Sequence, residues 1–190
     1  IVTVPIGVLR SGQITFEPDL PHLHQQALRY MDMGLLNKVV LQFPRVFWPK
    51  SVDFVAMFNS SFRPIFINYA HYKQVPTLVG LVGGQAAHEI EALPDAAIAQ
   101  KICSELKQFL KVDVPEPTKV FVQRWKQEEF ARGSYPRYLA GATGLEPKHL
   151  ATPIQNRVFF AGDATSLTEP GYLHGAFWAG ERAAQHLCKM

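Results

Sequence analysis

"RVFFAGDATSLTEPGYLHGAFWAGERAAQHL" occupies residues 157–187, and its reading decides what kind of fold the chain has. Arg157–Ala161 reads as an apolar strand that stops at Gly162-Asp163, a polar loop through Pro170-Gly171 follows, and a helical pattern runs on from about Gly175. In that helix Ala176, Gly180, Ala183, Ala184 and Leu187 recur at i, i+4, i+7, i+8 and i+11, a face of mostly very small side chains. Glycine costs about 1 kcal/mol against alanine in a helix interior, so Gly180 predicts close approach of another backbone. The free N–H groups at the helix N-terminus, with the positive end of its dipole, suit an anion. Gly171 and Gly175 lack a Cβ and let a ligand approach the main chain. Ligands bind in α/β units beyond the carboxyl end of a strand, where this loop lies. A strand–loop–helix whose glycines only turn the chain would look the same locally.

Outward from this segment, the bulk numbers narrow the class. The 190 residues are 47% apolar, so a sizeable core is expected and disorder is not. A net charge of +3 without a basic stripe argues against nucleic-acid binding. No apolar run reaches the roughly 18–20 residues of a membrane span. Cys103 and Cys188 form no CxxC or zinc spacing; they read as buried or half-buried free thiols, which fits a reducing compartment. Neither GxGxxG nor GxxxxGK[ST] occurs.

Ile1–Val4 reads as a strand ended by Pro5 and Gly7. It begins without Met or a signal-peptide pattern, which suggests a piece of a longer polypeptide. A helix with Asp19 as N-cap is expected to end near Gly34. Lys38–Phe43, Asp53–Phe58, Ile65–Ala70 and Thr77–Val82 read as an antiparallel meander punctuated by prolines. "QAAHEIEAL" reads as a short helix, and Asp95 as the cap of a longer one with Ile98, Ile102, Leu106, Phe109 and Leu110 on its apolar stripe. The Pro-rich "VDVPEPTKV" separates these from a strand at Lys119–Arg124 and a long loop through Gly133 and Gly141.

"VFFAGDAT" with "PGYLHGAFWAGERAA" resembles the C-terminal flavin-binding segment of the flavin-containing amine oxidases, the family of monoamine oxidases, polyamine oxidases and lysine-specific histone demethylases. "IVTVPIGVLRSGQITFEPDLP", "MGLLNKVVLQFPRVFW" and "RWKQEEFARGSYPRY" resemble, in order, the strand leading into the substrate domain, the segment with the active-site lysine, and the segment passing the flavin ring. The resemblance implies the C-terminal portion of a two-domain fold of mixed α+β and α/β character. A mostly antiparallel substrate-domain sheet with helices would accompany the strand–loop–helix of the FAD domain. Residues 1–12 would be a strand of the FAD-binding domain, 13–117 part of the substrate-binding domain, and 118–190 the C-terminal part of the FAD-binding domain. The N-terminal half with the glycine-rich dinucleotide fingerprint would lie outside this chain, which would not be active alone.

By the same resemblance, Lys38 matches the lysine that reaches flavin N5 through a water; its composition-only reading is a strand-end charge that snorkels to solvent. Tyr135 and Tyr172 match an aromatic cage that steers an amine to the flavin face, aided by cation–π attraction. Trp125 matches a tryptophan near the flavin. Ser134 stands where monoamine oxidases carry the cysteine bonded to FAD; it cannot form a thioether, so non-covalent FAD is implied. Asp163 replaces the commoner glutamate as a hydroxyl acceptor, and Gly162, Ala164, Leu173 and Gly175 would give backbone contacts to the cofactor. His174 reads as surface or supporting, not as a base. The implied activity is oxidation of a polyamine or another primary or secondary amine, by hydride transfer to the flavin, with peroxide formed on reoxidation. Two rivals remain: a non-catalytic module that binds a partner or self-associates through exposed apolar surface, and another flavoenzyme of the same fold, such as a desaturase or porphyrinogen oxidase. Lys38 with the tyrosine pair argues against the latter.

Overall fold

In the computed structural model, which describes residues 1–189, the elements in chain order are α1 (Ile6–Arg10), α2 (His22–Tyr30), β1 (Met31–Gly34), β2 (Leu36–Gln42), β3 (Phe54–Ala56), β4 (Ile65–Asn68), α3 (Tyr69–Lys73), β5 (Thr77–Gly83), α4 (Gly84–Glu91), α5 (Asp95–Leu110), β6 (Lys119–Gln123), β7 (Tyr135–Tyr138), α6 (Glu146–Ala151), a 3-10 turn (Asp163–Thr165) and α7 (Leu173–Leu187). They form two compact units, residues 35–125 and residues 1–34 with 126–190.

The 35–125 unit is built on an antiparallel sheet in the order β3-β4-β5-β2-β6. The expected strands are present, but not as a simple meander: β2 lies between β5 and β6 and does not pair with β3. The period of two along β2 divides its side chains. Asn37, Val39 and Leu41 are fully buried, while Lys38, Val40 and Gln42 alternate with them on the other face. Ile98, Ile102 and Leu106 of α5 meet the buried set at helical spacing, each fully buried. Burial of such side chains stabilises by about 1.5–3 kcal/mol each. Phe109, expected on the same stripe, is exposed, since the stripe continues through Leu106 and Leu110. Asp95 is the first residue of α5, after a Pro94 N-cap, rather than its cap. Its carboxylate takes Arg124 at 2.7 Å instead.

In the second unit α2 starts at His22 after Pro21, without a side-chain cap from Asp19. It ends at Tyr30, because Met31–Gly34 leaves the helix to pair with β7 as a two-stranded ladder. The expected N-terminal strand is reduced to an isolated parallel bridge, Val2 to Phe160, and Pro5 then opens α1. The expected strand at 157–161 has only this bridge and one from Val158 to Ile154, so no continuous ladder forms. Ile6, Ala27, Met31, Leu150, Phe160 and Ala164 make this unit's main core. The units' borders follow from α2 packing on α6, β1 pairing with β7, and β6 pairing with β2.

The face of α7 also differs from expectation. Gly175, Ala179 and Ala183 are its buried residues, and a Cβ on Gly180 would meet nothing within 4 Å. Gly175 is the glycine in close approach: a Cβ there would strike the carbonyl oxygen of Glu169. Cys103 is half-buried as expected, whereas Cys188, just past the end of α7, is exposed. No helix among the described residues is long and apolar enough to cross a membrane, and no cluster of three metal-ligating side chains occurs among them.

Candidate functional site

The candidate residues fall in both units. In the 35–125 unit, Lys38 sits mid-sheet on β2, opposite Leu81 of β5 and Gln123 of β6. It is exposed, and its Nζ lies 5.6 Å from the centroid of the Trp125 ring, within cation–π range. Trp125 stands two residues past β6, half-buried against the core. Its backbone N–H donates to Asn37 Oδ1 at 3.0 Å.

The remaining candidates lie in the second unit. The Ser134 N–H donates to the Gly34 carbonyl at 2.9 Å, and Gly133 (φ +149°) before it lies where a Cβ would strike Met33. Tyr135 then opens β7 with its ring against Gly34, where a Cβ would lie 2.8 Å from its Cε2. The loop that ends in Gly171 (φ +82°) runs beside this tyrosine, at 3.6 Å from a Gly171 Cβ position to Tyr135 Cβ. That places the chain entry to Tyr172 beside Tyr135. The Tyr172 ring itself, 59% exposed, stacks on His174 with centroids 5.4 Å apart and planes at 28°. His174 is held in turn by Glu169 at 3.6 Å and edge-on by Trp178.

Tyr172 is the extended N-cap of α7 and gives it no side-chain cap. Leu173, 90% exposed, begins the helix, so its first turn presents backbone donors at an open, electropositive end. Gly162 (φ +110°) turns the chain from Phe159–Ala161 into the 3-10 turn, a conformation that favours glycine. Asp163 follows. Its Oδ1 accepts the Ala164 N–H at 2.9 Å; burial pushes its carboxyl above the usual range, and that hydrogen bond opposes the shift. Ala164 is buried in the core of the unit.

Arg182 was not legible as a site residue, yet it stitches this turn. From α7 it donates to the Thr165 carbonyl at 2.8 Å, to Thr165 Oγ1 at 3.0 Å and to the Phe160 carbonyl at 3.1 Å. Burial lowers its pKa from the ordinary arginine value. Asn37 was missed as well. The available signal was a polar residue on the Val39–Leu41 face of an apolar strand. The second unit therefore offers an uncapped helix N-terminus, a partly buried carboxylate and exposed aromatic rings, groups suited to an anionic, flat aromatic cofactor, and the 35–125 unit by itself offers a lysine–indole pair.

The family model for flavin containing amine oxidoreductases matches residues 1–188. The chain belongs to this family. It is 35% identical over 195 residues to lysine-specific histone demethylase 1 homolog 2 of Arabidopsis thaliana, covering 98% of this chain and 26% of that protein. To polyamine oxidase 2 of the same plant it is 38% identical over 192 residues, covering all of this chain and 38% of the relative. A solved structure of wild-type putrescine oxidase bound to putrescine superposes with a TM-score of 0.81 at 22% identity, over 100% of this chain and 42% of that one. The chain thus spans between about a quarter and two fifths of the proteins it matches. The fold is that of a portion of a flavin-containing amine oxidoreductase, in keeping with the mixed α and antiparallel β architecture expected from the motifs.

Proposed function

We propose that the protein carrying this chain oxidises an amine, polyamine or another primary or secondary amine, with non-covalently held FAD. The observation that supports this most is the Lys38–Trp125 pair on an open sheet face, in a chain that belongs to the amine oxidoreductase family across residues 1–188. When bound, FAD would supply the hydride acceptor for the carbon beside nitrogen, with peroxide formed on its reoxidation by oxygen and the imine product open to hydrolysis by water.

The chain's own residues bind and orient. The first-turn amides of α7 from Leu173 on, with the backbone at Gly162, suit the pyrophosphate and pyrimidine parts of the cofactor; the Ala164 N–H is already taken by Asp163 and the Cβ side of Gly175 by the Glu169 carbonyl, so these two shape the turn beside it. Asp163 suits a hydroxyl donor. Ser134 offers no thiol for a covalent link. Lys38 donates to a water held at the reaction centre, and Trp125 lies at its side. Tyr135 and Tyr172 guide the amine by their ring faces. On this reading 35–125 is part of the substrate-binding domain, and the second unit part of the FAD-binding domain. The exposed Leu173, Phe177 and Trp178 of α7 favour a further segment, with the glycine-rich fingerprint this chain lacks, covering that helix. The alternative, self-association through the same patch, predicts a dimer by sedimentation.

The test is a peroxide-coupled assay over monoamines, spermidine, spermine and amino acids, with Lys38→Met beside the wild type. Peroxide from one amine class and a large loss in Lys38→Met are expected. No peroxide from any amine, or peroxide formation undiminished in Lys38→Met, overturns the proposal.

A further inference from the structure

The Lys38–Trp125 pair has a support that the family resemblance did not supply. Strand β6 pairs with β2 only as far as Gln123, opposite Lys38. One residue further along β2, the backbone ladder gives way to a side chain: the fully buried Asn37 accepts the Trp125 N–H through Oδ1 at 3.0 Å. Its Nδ2 donates to Glu91 Oε1 at 2.9 Å and to the Ala87 carbonyl at 3.3 Å, both on α4. The orientation of this carboxamide follows from its partners, since a backbone N–H only donates and a backbone carbonyl only accepts. One acceptor and two donors are used at once. Asp lacks the donors, Leu lacks all three, and Gln is longer by a methylene.

We propose that Asn37 and Glu91 are positioning residues: they tether the backbone of Trp125 to α4 and so hold its indole beside the Lys38 ammonium. This rests on the reading of Lys38 as a group of the reaction centre. Asn37 is fully buried, and its role and that of Glu91 run through Trp125. An orphaned Trp125 N–H, or a Glu91 without its carboxamide partner, frees the chain just past β6 and lets the indole leave the lysine.

The test uses the 190-residue chain labelled with 5-fluorotryptophan, whose three tryptophans give separate fluorine resonances, with Trp125 assigned by Trp125→Phe. Lys38→Met should displace the Trp125 resonance in the otherwise wild-type chain. In Asn37→Leu that displacement should be lost. In Asn37→Asp it should also be lost, because two carboxylates then face each other. In Asn37→Asp with Glu91→Gln it should return in part, since the reversed pair restores the Trp125 bond and the side-chain link to position 91 but not the bond to the Ala87 carbonyl. The proposal is overturned if Lys38→Met leaves the Trp125 resonance in place, or if the displacement survives in a folded Asn37→Leu or Asn37→Asp chain. It is equally overturned if a folded double variant regains none of the displacement. No flavin or amine enters the measurement, so a failure here is distinct from a failure of the amine-oxidase reading.

Discussion

Alanine at Gly175 and alanine at Gly180 should have opposite effects, although both lie in α7 only five residues apart. In a helix interior Gly→Ala is worth about 1 kcal/mol in favour of alanine. At Gly180 nothing stands within 4 Å of the new Cβ, so this gain should be realised nearly in full. At Gly175 the Cβ would strike the Glu169 carbonyl oxygen and come within 3.0 Å of both the Glu169 carbonyl carbon and Ser166 Oγ. Two of these are backbone atoms of the loop leading to Tyr172, so they cannot swing aside as a side-chain tip does. Overpacking of this kind costs roughly 1–3 kcal/mol, and the backbone obstacle places it in the upper half. Less the helix gain, Gly175→Ala should lose about 1–2 kcal/mol. The two variants should therefore differ by about 2–3 kcal/mol, which at an m-value of about 1–3 kcal/mol per molar separates their urea midpoints by roughly 1 M. Urea titration followed by far-UV circular dichroism reads this directly. A Gly175→Ala chain at least as stable as the wild type, or a Gly180→Ala chain weakened by more than about 1 kcal/mol, would refute the reasoning.

Arg182→Leu leaves the Phe160 and Thr165 carbonyls without their donor and should cost about 1–3 kcal/mol. It should also speed proteolysis of the 163–171 loop, and unchanged cleavage there contradicts the stitching role. His24 is buried with Nε2 on the Thr152 carbonyl at 2.9 Å; burial first, then nearby His149, push its pKa below 6.5, against that hydrogen bond. The unfolded chain thus takes up the proton before the folded one. The contribution is intact above pH 6.5 and is lost as pH falls below it toward the folded-state pKa. His24→Phe should show a shallower acid decline in urea midpoint, and an identical slope argues against this. Cys103, whose thiol burial pushes up to about 11, should alkylate well after the exposed Cys188 when labelling is mapped by mass spectrometry. The reverse order contradicts the assignment.

What was legible in the sequence follows from the range of the forces involved. Local periodicity placed β2, β5, α4, α5 and α7 to within a few residues, because alternation and helical stripes are short-range signals. Partner choice was not local. Nothing within β2 says that it pairs with β5 and β6 and not with β3, and nothing within 157–161 says that Val2 forms the bridge to it. Pro21 and Pro94 took the N-cap positions expected for Asp19 and Asp95, because a proline before the first turn sets the extended entry while the acid finds another partner or solvent. Its mid-helix place makes Gly180 the glycine from which the sequence predicts close packing. The tight one is Gly175, since what crowds it is the carbonyl of Glu169, six residues upstream in a loop whose path the periodicity does not describe. The candidate residues were legible through motif resemblance, and Lys38 beside Trp125 is the pairing the geometry adds. Arg182 and Asn37 were missed because their roles consist of hydrogen bonds to main-chain groups, which leave no pattern in composition.

The central claim, that these residues serve FAD-dependent amine oxidation, meets its most direct test in the flavin absorbance of the protein carrying this chain, mixed with amine in the absence of oxygen. The account predicts an oxidised flavin spectrum that bleaches on addition of a primary or secondary amine, released by denaturation as free FAD because Ser134 makes no bond to it, and bleaching that slows sharply in Lys38→Met. A flavin that stays oxidised with every amine offered, or one that remains attached to the unfolded chain, would contradict it.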